Sequence, residues 1–323
     1  MKKFLIFLQA AVLFWALSGS TDVFAFTVKD ATGNEIEIAP PIKRVVFLSL
    51  YELIPVFDVW DRAVGLNRWA FDNELLKEFP RLKEIPSIGT ADTVNIEVLL
   101  GLHPDLVITW SYKPEVAEFL IRRGLKVISV YPDSLEELYA VLDLCGKLFG
   151  KKDRAREIRS LMEKSLAETA SRVSKIGPAD RRKVLWIWQK PTTVSGGTGL
   201  QHELIKITGG VNPAEGIQTK HPEVSMESIV SWNPDVIFIW GSARYGPEAL
   251  LSNPQWKKIK AVRDGKVFKA PDLTTWSPTV CSLALWMAWK TYPEYFNRKE
   301  LSEEVLRFHK KCFGVPIEGL TFN

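Results

Sequence analysis

The sequence predicts an α/β fold with two lobes, each built on a mostly parallel sheet, joined by one long linker helix. The first observation behind this prediction is an internal repeat. The segment NIEVLLGLHPDLVITW, from Asn95 to Trp110, aligns without a gap with SMESIVSWNPDVIFIW, from Ser225 to Trp240. The second observation is the run at residues 151–176 between the two copies, which is rich in helix formers and contains no Pro or Gly. Two similar units on either side of a long helix indicate a two-lobed protein.

The linker helix is predicted to bridge the lobes and not to form a core element. Gly150 precedes it, and Gly177-Pro178 ends it because proline cannot continue a helix. Its apolar positions form one narrow stripe at helical spacing, which is typical of a helix on a surface or between two bodies. The predicted domain boundaries are residues 26–150 for the N-terminal lobe, 151–177 for the linker helix and 178–323 for the C-terminal lobe.

The first 25 residues predict a secretory signal peptide. Lys2-Lys3 precedes an apolar run at residues 4–17, and Val23-Phe24-Ala25 places small residues at the two positions that a signal peptidase reads. The alternative is an N-terminal membrane anchor, but the run is shorter than the ~20 residues that a spanning helix needs. No cysteine follows the run, which argues against an N-terminal lipid anchor. We expect cleavage after Ala25 and an exported mature chain that begins at Phe26.

The composition argues against nucleic-acid binding and contains no metal motif. The formal net charge is +4, and the basic residues are scattered among acidic ones. Cys145, Cys281 and Cys312 lack the spacing of a metal site. Cys145 lies in an apolar helical run and is expected to be buried. A disulfide between Cys281 and Cys312 is compatible with export, and the sequence leaves this pairing open.

Both lobes are predicted to alternate strands with helices, the pattern of a parallel sheet covered on both faces. The chain begins with a hairpin around Gly33-Asn34, and Ser134 with Glu137 predicts a capping box. The predicted elements of the N-terminal lobe are the hairpin at 26–38, strands at 44–50, 63–66, 105–110 and 126–131, and helices at 51–60, 95–102, 114–123 and 134–149. Those of the C-terminal lobe are strands at 183–189, 235–240 and 266–270, and helices at 201–208, 226–231, 279–292 and 302–313.

Aromatic residues cluster directly after the predicted strands. Ligands of open parallel sheets bind at the carboxyl ends of the strands, so two facing lobes place these residues around a common cleft. The chain contains 12 Trp, and a cleft lined with Trp and Tyr suits a bulky ligand with apolar surface. Trp186, Trp256, Trp286 and Trp289, on strands or helices, are expected in the core. The candidate ligand-binding residues are Tyr51, Glu52, Trp69, Trp110, Tyr112, Trp188, His221, Arg244, Tyr245 and Trp276.

The order of these motifs resembles the periplasmic binding proteins for metal–siderophore complexes and cobalamin, the helix-linked (class III) substrate-binding proteins of ABC importers. The resemblance covers nearly the whole mature chain. It is carried by RVVFLS at residues 44–49, TGGVN at 208–212 and, above all, the paired Glu-x(7)-Asp motifs of the repeat. It implies two Rossmann-like lobes, a rigid helical hinge, a periplasmic location, no catalysis and no cofactor. The sequence departs from the family at Trp60, where relatives usually carry a glycine before the aspartate matching Asp61.

The resemblance also implies a role for the glutamate of each repeat, which in the family meets arginines of the permease. The corresponding residues here are Glu97 and Glu227. Each stands in the first turn of a predicted helix, where the helix dipole favours a carboxylate. One such glutamate would be an ordinary residue on a solvated face. Two at equivalent places in two lobes indicate docking onto the permease dimer of an ABC importer. The residues do not indicate the oligomeric state, and the resemblance implies a monomer.

Three classes of function are weighed. The leading hypothesis is a binding protein for a bulky metal chelate: a ferric siderophore, haem or a corrinoid, among which the residues do not distinguish. The second is a binding protein for a metal ion or small chelate of nickel, iron or zinc, although His202 and His221 lack a close-spaced His or Cys partner. The third is an exported enzyme. The loop SGGTG at residues 195–199 lacks the Lys-Ser/Thr of a P-loop, and the chain has no G-x-S-x-G motif.

The remaining two histidines are assigned no ligand. His103 lies in a helix-to-strand turn and is matched by Asn233 in the repeat, so it is expected to be structural. His309 lies in a basic C-terminal helix and is expected to be solvated.

Overall fold

The structure, a computed structural model, describes residues 25–90 and 92–317. The predicted signal peptide up to Phe24 lies outside these ranges. The strands are β1 (Phe26–Lys29), β2 (Glu35–Ile38), β3 (Val45–Phe47), β4 (Ala63–Leu66), β5 (Leu106–Trp110), β6 (Val127–Val130), β7 (Val184–Ile187), β8 (Val236–Ile239) and β9 (Val267–Lys269). The α-helices are α1 (Leu53–Phe57), α2 (Glu74–Lys77), α3 (Ile96–Gly101), α4 (Pro114–Arg122), α5 (Leu135–Leu148), α6 (Lys152–Val173), α7 (Leu200–Ile207), α8 (Met226–Trp232), α9 (Pro247–Leu251), α10 (Lys260–Arg263), α11 (Thr279–Thr291) and α12 (Arg298–Phe313). Short 3-10 helices cover Arg68–Phe71, Pro80–Glu84, Pro178–Asp180 and Pro293–Tyr295.

Each lobe contains an all-parallel sheet, which confirms the predicted fold class. The N-terminal sheet has the order β4-β3-β5-β6, and the C-terminal sheet has the order β7-β8-β9. The predicted hairpin is formed by β1 and β2, which pair antiparallel. It lies against the edge strand β6, where the backbone N–H of Ala31 donates to the carbonyl of Ser129 at 2.9 Å.

The aspartate of each repeat assembles the sheet of its lobe. Asp105 accepts hydrogen bonds from the backbone N–H groups of Lys43 and Arg44 at 2.8 and 2.9 Å. Asp235 accepts one from the N–H of Lys183 at 2.8 Å. Asp105 thus joins the segment before β5 to the segment before β3. Asp235 joins the segment before β8 to the segment before β7. The aspartates of the Glu-x(7)-Asp motif are therefore explained by sheet assembly and need no ligand.

His103 and Asn233 occupy equivalent turns, as the repeat predicted. Their backbones are left-handed, with φ of 44° and 45°, a conformation in which Asn and His are enriched among non-glycine residues. Both residues follow the repeat helix, α3 or α8, and redirect the chain into the next strand. The expected structural role of His103 fits this position.

The linker helix α6 buries one face and exposes its charges. Its buried residues include Ile158, Met162 and Leu166, and the helix packs against α5 of the N-terminal lobe and α11 of the C-terminal lobe. One apolar cluster joins this face to one face of each sheet, while the other faces of the two sheets have clusters of their own. The lobes therefore share a continuous core behind the cleft, an arrangement that favours a rigid connection because a packed helix does not absorb large φ/ψ changes.

Arg154 adds a polar connection between the same elements. Its Nε donates to the carbonyl of Val56 at 3.0 Å, and its Nη2 donates to the carbonyls of Lys311 and Cys312 at 2.9 and 2.8 Å. These carbonyls belong to the last turns of α1 and α12, where a cation is favourable. The first turn of the linker helix is thus bonded to both lobes.

The three cysteines are free thiols in the structure, and all three are buried. The expected burial of Cys145 is confirmed, and no disulfide joins Cys281 to Cys312. Trp186, Trp256 and Trp286 are buried as expected for core residues. Trp289 was also expected in the core, but it is only partly buried and packs against the core.

The prediction of a solvated His309 is wrong. Helix α12 begins at Arg298, earlier than predicted, and turns a stripe containing Leu301, Val305 and His309 inward. The imidazole is fully buried, and its Nε2 lies 2.8 Å from the hydroxyl of Ser282 on α11. Burial lowers the pKa of His309 to about 4.

Acidification is expected to destabilise the protein through His309. The pKa is about 4 in the folded state and ~6.5 in the unfolded chain. The unfolded state therefore binds more protons between these values, and stability falls as the pH drops from 6.5 towards 4. The full shift corresponds to roughly 3 kcal/mol, of which roughly 2 kcal/mol is lost between pH 7 and pH 4.5. Denaturant unfolding at these two pH values should show a loss smaller by that amount in His309→Gln than in the wild type. Equal losses in both proteins would contradict the assignment.

Candidate ligand-binding cleft

A cavity of about 340 Å³ lies between the lobes, at the carboxyl ends of the parallel strands. This volume is near the lower end of the ~300–1,000 Å³ typical of small-molecule sites. The N-terminal lobe contributes residues that follow β5 and β6. The C-terminal lobe contributes residues that follow β7, β8 and β9, one residue of α7, and His221 in the loop between α7 and α8. The lining residues are Tyr112, Tyr131, Asp133, Trp188, Gln201, His221, Trp240, Ser242, Asp272, Leu273, Thr274, Thr275 and Trp276.

Trp276 connects the aromatic residues of the two lobes. It belongs to the C-terminal lobe, yet its ring centroid lies 4.5 Å from that of Trp110 and 5.8 Å from that of Tyr131. Tyr112 lies 5.8 Å from Tyr131 in an edge-on arrangement. Burial raises the pKa of Tyr131 to about 12, so its hydroxyl stays protonated and is a hydrogen-bond donor at neutral pH.

Trp188 forms the opposite wall. Its ring centroid lies 4.3 Å from that of His221 and 5.7 Å from that of Trp240. Its indole Nε1 is buried and has no hydrogen-bond acceptor within the described ranges. Burial lowers the pKa of His221, and Lys220 lowers it further against the opposing effect of Asp133. The imidazole is therefore neutral at pH 7.

Polar contacts cross between the lobes at the rim of the cavity. The ammonium of Lys220 lies 2.6 Å from the carboxylate of Asp133, which is largely buried. The backbone N–H of Leu135, in the first turn of α5, donates to Glu203 on α7 at 2.9 Å. These contacts hold the ends of α5 and α7 together across the cleft.

Glu52 lies beneath the cavity and bonds both lobes. Its carboxyl accepts a hydrogen bond from the amide of Asn73 at 2.6 Å and another from the hydroxyl of Thr274. Burial raises the pKa of Glu52, while hydrogen bonds from Ser277, Thr274 and Asn73 oppose the shift. The residue was predicted to contact ligand. The structure gives it a second role, in which it holds the loop at residues 272–276 against the N-terminal lobe.

The ten predicted ligand-binding residues fall into three groups. Tyr112, Trp188, His221 and Trp276 line the cavity. Tyr51, Glu52 and Trp110 line a small void of about 10 Å³ beside Trp276. Trp69, Arg244 and Tyr245 lie outside both spaces.

The three outer residues have other contacts. Trp69 is 54% exposed, and the guanidinium of Arg68 lies 5.3 Å from its ring. Arg244 is exposed, and its backbone N–H donates to Gln189 at 2.9 Å. The hydroxyl of Tyr245 donates to the carbonyl of Trp188, so Tyr245 helps to position a cavity residue.

Some lining residues are not among the ten candidates that the sequence predicts. Asp272, Thr274 and Thr275 follow β9. The expectation that ligands bind at the carboxyl ends of strands, which predicted Trp276, applies equally to these three residues. Asp133 and Ser242 also follow strands but carry no aromatic signal. Gln201 lies on α7, where no strand-end signal exists. Tyr131 and Trp240 are aromatic residues that directly follow β6 and β8, so they carry both signals. The other lining residues outside the ten candidates are Asp133, Gln201, Ser242, Asp272, Leu273, Thr274 and Thr275.

The glycine-rich loop at residues 195–199 is explained by close packing. A Cβ on Gly196 would lie 2.0 Å from the carbonyl oxygen of Thr219, and one on Gly197 would lie 1.9 Å from that of Glu215. The N–H groups of both glycines donate to the same neighbouring segment, to Lys220 at 3.2 Å and to Ile217 at 2.7 Å. These donors are used inside the protein, which removes the reason to interpret the loop as a phosphate cradle.

Glu97 and Glu227 are exposed in the first turns of α3 and α8. The two helices begin alike, because the side chains of Asn95 and Ser225 accept hydrogen bonds from the N–H groups of Val98 and Ser228. The loops before both helices reach the cleft. Asp92 forms an ion pair with Lys113 beside Tyr112, and His221 lines the cavity itself.

Across residues 25–90 and 92–317, no group of three or more His, Cys, Asp and Glu side chains could hold a metal ion. Among the helices of these ranges, none has the length and apolar composition needed to cross a membrane.

Known proteins share the sequence over most of its length. YvrC of Bacillus subtilis, an uncharacterized ABC transporter substrate-binding lipoprotein, is 26% identical over 86% of this chain and 88% of its own. The molybdate-binding protein MolA of Haemophilus influenzae is 23% identical over 88% of this chain and 90% of its own. The vitamin B12-binding protein of Salmonella typhi is 26% identical over 51% of this chain and 62% of its own.

A solved structure and a family match agree with these relatives. CeuE of Helicobacter pylori, in a structure with Ni-His, is 27% identical, covers 90% of this chain and 96% of its own, and superposes with a TM-score of 0.80. The periplasmic binding protein family matches residues 45–273, from the first strand of the N-terminal sheet to the loop after β9. The resemblance found in the sequence is confirmed, and the chain belongs to the periplasmic binding protein family.

Proposed function

We propose that this protein is the substrate-binding protein of an ABC importer and that its cleft binds a metal chelate. The observation that carries the proposal is a cavity walled by five aromatic residues, Tyr112, Tyr131, Trp188, Trp240 and Trp276. Aromatic walls bind a ligand through apolar burial, at roughly 25 cal/mol per Å². A chelate offers such area, whereas a bare ion needs protein ligands that the described part of the chain does not group together.

The relatives support an imported solute and differ in its identity. Their names cover vitamin B12 and molybdate, and a related structure holds Ni-His. Two of these three ligands are metal complexes with an organic ligand. Binding and delivery, without chemical change of the ligand, is the function common to these names.

The size of the ligand separates two candidates. A bulky chelate, such as a siderophore complex, haem or corrinoid, fits the aromatic walls but would extend beyond an enclosed space of about 340 Å³. A small chelate of nickel, iron or zinc would fit within it. The volume is the observation that favours the small chelate as a second candidate.

Delivery requires a surface that docks onto the permease, and we assign this role to the first turns of α3 and α8. Glu97 and Glu227 are exposed there on either side of the cleft. Val98 and Leu100, beside Glu97, are 38% and 36% exposed, which gives the surface an apolar part as well as a charge. We further propose export by the signal peptide, a periplasmic location and action as a monomer.

Titration of the mature protein with a panel of ligands tests this proposal. The panel contains ferric siderophores, haemin, corrinoids, nickel–histidine and the bare divalent metals. We expect strong quenching of tryptophan fluorescence by one chelate and little by bare ions, because coloured chelates accept excitation from Trp188, Trp240 and Trp276. Tight binding of a bare ion with no response to any chelate would replace the proposal with the metal-ion hypothesis.

A further inference from the structure

The charged side chains that line the cavity are all acidic. Its lining includes the carboxylates of Asp133 and Asp272, while no lysine or arginine of the described chain is among the lining residues. The one imidazole, that of His221, is neutral at pH 7 because burial lowers its pKa. The other polar lining side chains are hydroxyls and one amide.

The N-terminus of helix α7 could attract an anion to the cavity, but the carboxylate of Asp133 already lies there. Helix α7 starts beside the cavity at Leu200, and no side chain caps its first turn, so its N–H groups favour negative charge. The carboxylate of Asp133 lies there, since a Cβ on Gly199 would be 3.4 and 3.5 Å from its two oxygens. Asp133 also has Lys220 as a partner at 2.6 Å. The charge of Asp133 is therefore balanced by the protein.

The charge of Asp272 is not balanced in this way. Its recorded hydrogen-bond donor is the neutral hydroxyl of Ser242, at 2.6 Å. The carboxylate is exposed and stands in the loop that also carries Trp276. Five aromatic rings share the cavity with it, and the faces of such rings attract cations. An anionic ligand would meet Asp272 without a guanidinium or ammonium to pair with, whereas anion sites normally supply these groups.

We propose that the cleft selects metal chelates with a net positive charge over anionic chelates of the same metal, and that Asp272 sets this preference. The inference rests on the proposed function, because it assumes that the cavity is the chelate site. It predicts that cationic complexes bind most tightly, neutral complexes less tightly and anionic complexes least tightly.

The test uses nickel(II) chelates of three charges: nickel–terpyridine as the cation, nickel–histidine as the neutral complex and nickel–nitrilotriacetate as the anion. Affinities are measured by calorimetry for the wild type, Asp272→Asn and Asp272→Lys. Comparing one probe across the variants removes the effect of its shape. Asp272→Asn should weaken the cation roughly three- to tenfold, the range expected for one partly exposed charge, and should leave the anion unchanged or tighter. Asp272→Lys should weaken the cation further and tighten the anion, each relative to the affinity of the wild type for the same probe.

Two controls isolate the charge of Asp272. Asp264→Asn removes an exposed aspartate in the turn before β9, at the end of the strand away from the cleft, and should change no affinity. Asp272→Glu keeps the charge and should keep the preference. If the wild type prefers the anion, or if Asp272→Asn shifts all three probes equally, the charge inference is overturned while chelate binding stands. If no chelate of any charge binds, including the wider panel above, the proposed function itself fails.

Discussion

Replacing Glu97 and Glu227 together by alanine is expected to abolish uptake of the ligand while leaving its binding to the purified protein unchanged. Both carboxylates are exposed in the first turns of repeat-related helices, and neither lines the cavity. The pKa of Glu227 is lowered by its own backbone N–H and by Ser225, so this carboxylate is ionised at the pH of any cell exterior. Charge-assisted bonds to arginines of a permease are the interaction that such residues can provide.

The single variants should be milder than the double variant. One exposed ion pair contributes only ~0–1 kcal/mol, and either glutamate alone still holds one lobe against the permease. On the proposed docking, loss of both glutamates removes the charged contact of each lobe with the permease. Uptake of labelled ligand by cells and affinity measured in solution separate delivery from binding.

A matched control is Glu37→Ala with Glu300→Ala. These are exposed glutamates in the N-terminal and C-terminal lobes, and the carbonyl of Glu37 accepts a hydrogen bond from Lys126 before β6, at the end of the sheet away from the cleft. This pair should leave uptake normal. Normal uptake by the variant lacking Glu97 and Glu227 would refute the docking assignment.

The fold was predictable because its signals are periodic and repeated. The sixteen-residue repeat predicts α3 with β5 and α8 with β8, and both strands are buried, as their apolar runs indicate. His309 was missed because a histidine in a basic segment was weighed without its spacing. It stands four residues after Val305 and eight after Leu301, on the buried stripe of α12. Helical periodicity was the available signal, and it was applied to the linker but not to this helix.

The site was only partly predictable from the sequence. The rule that ligands bind at the carboxyl ends of parallel strands considers each strand separately. Strand ends identified Trp188 and Trp276, which line the cavity. The same rule could not tell which residues after a strand point into the space between the lobes, so Arg244 and Asp272 could not be ranked. Glu52 depended on Thr274, a partner 222 positions away in sequence. Contacts that cross the cleft follow from how the lobes are set against each other, which no local pattern encodes.

Replacing Trp188 and Trp276 by alanine is expected to weaken binding of the chelate about 100-fold or more, since a ring that buries ~100 Å² against a ligand contributes roughly 2.5 kcal/mol. The two rings belong to opposite walls, one beside His221 and the other beside Trp110. Removing both takes one indole ring from each wall and leaves Tyr112, Tyr131 and Trp240.

Calorimetry is the suitable measurement, because the variants lose part of the fluorescence signal. Trp69→Ala is the matched control: this ring was also predicted to contact ligand, but it is 54% exposed and outside the cavity, so its loss should change affinity little. Trp276→Phe should recover much of the binding, since an aromatic face is kept beside Trp110 and Tyr131.

His202→Ala and His221→Ala should weaken binding of the chelate less than the tryptophan changes do. His202 lies against Asn212 at 3.3 Å, outside the cavity, and His221 contributes a smaller ring. If the histidine changes abolish binding while the tryptophan changes do not, the metal itself is recognised by the protein, and the aromatic walls have another explanation.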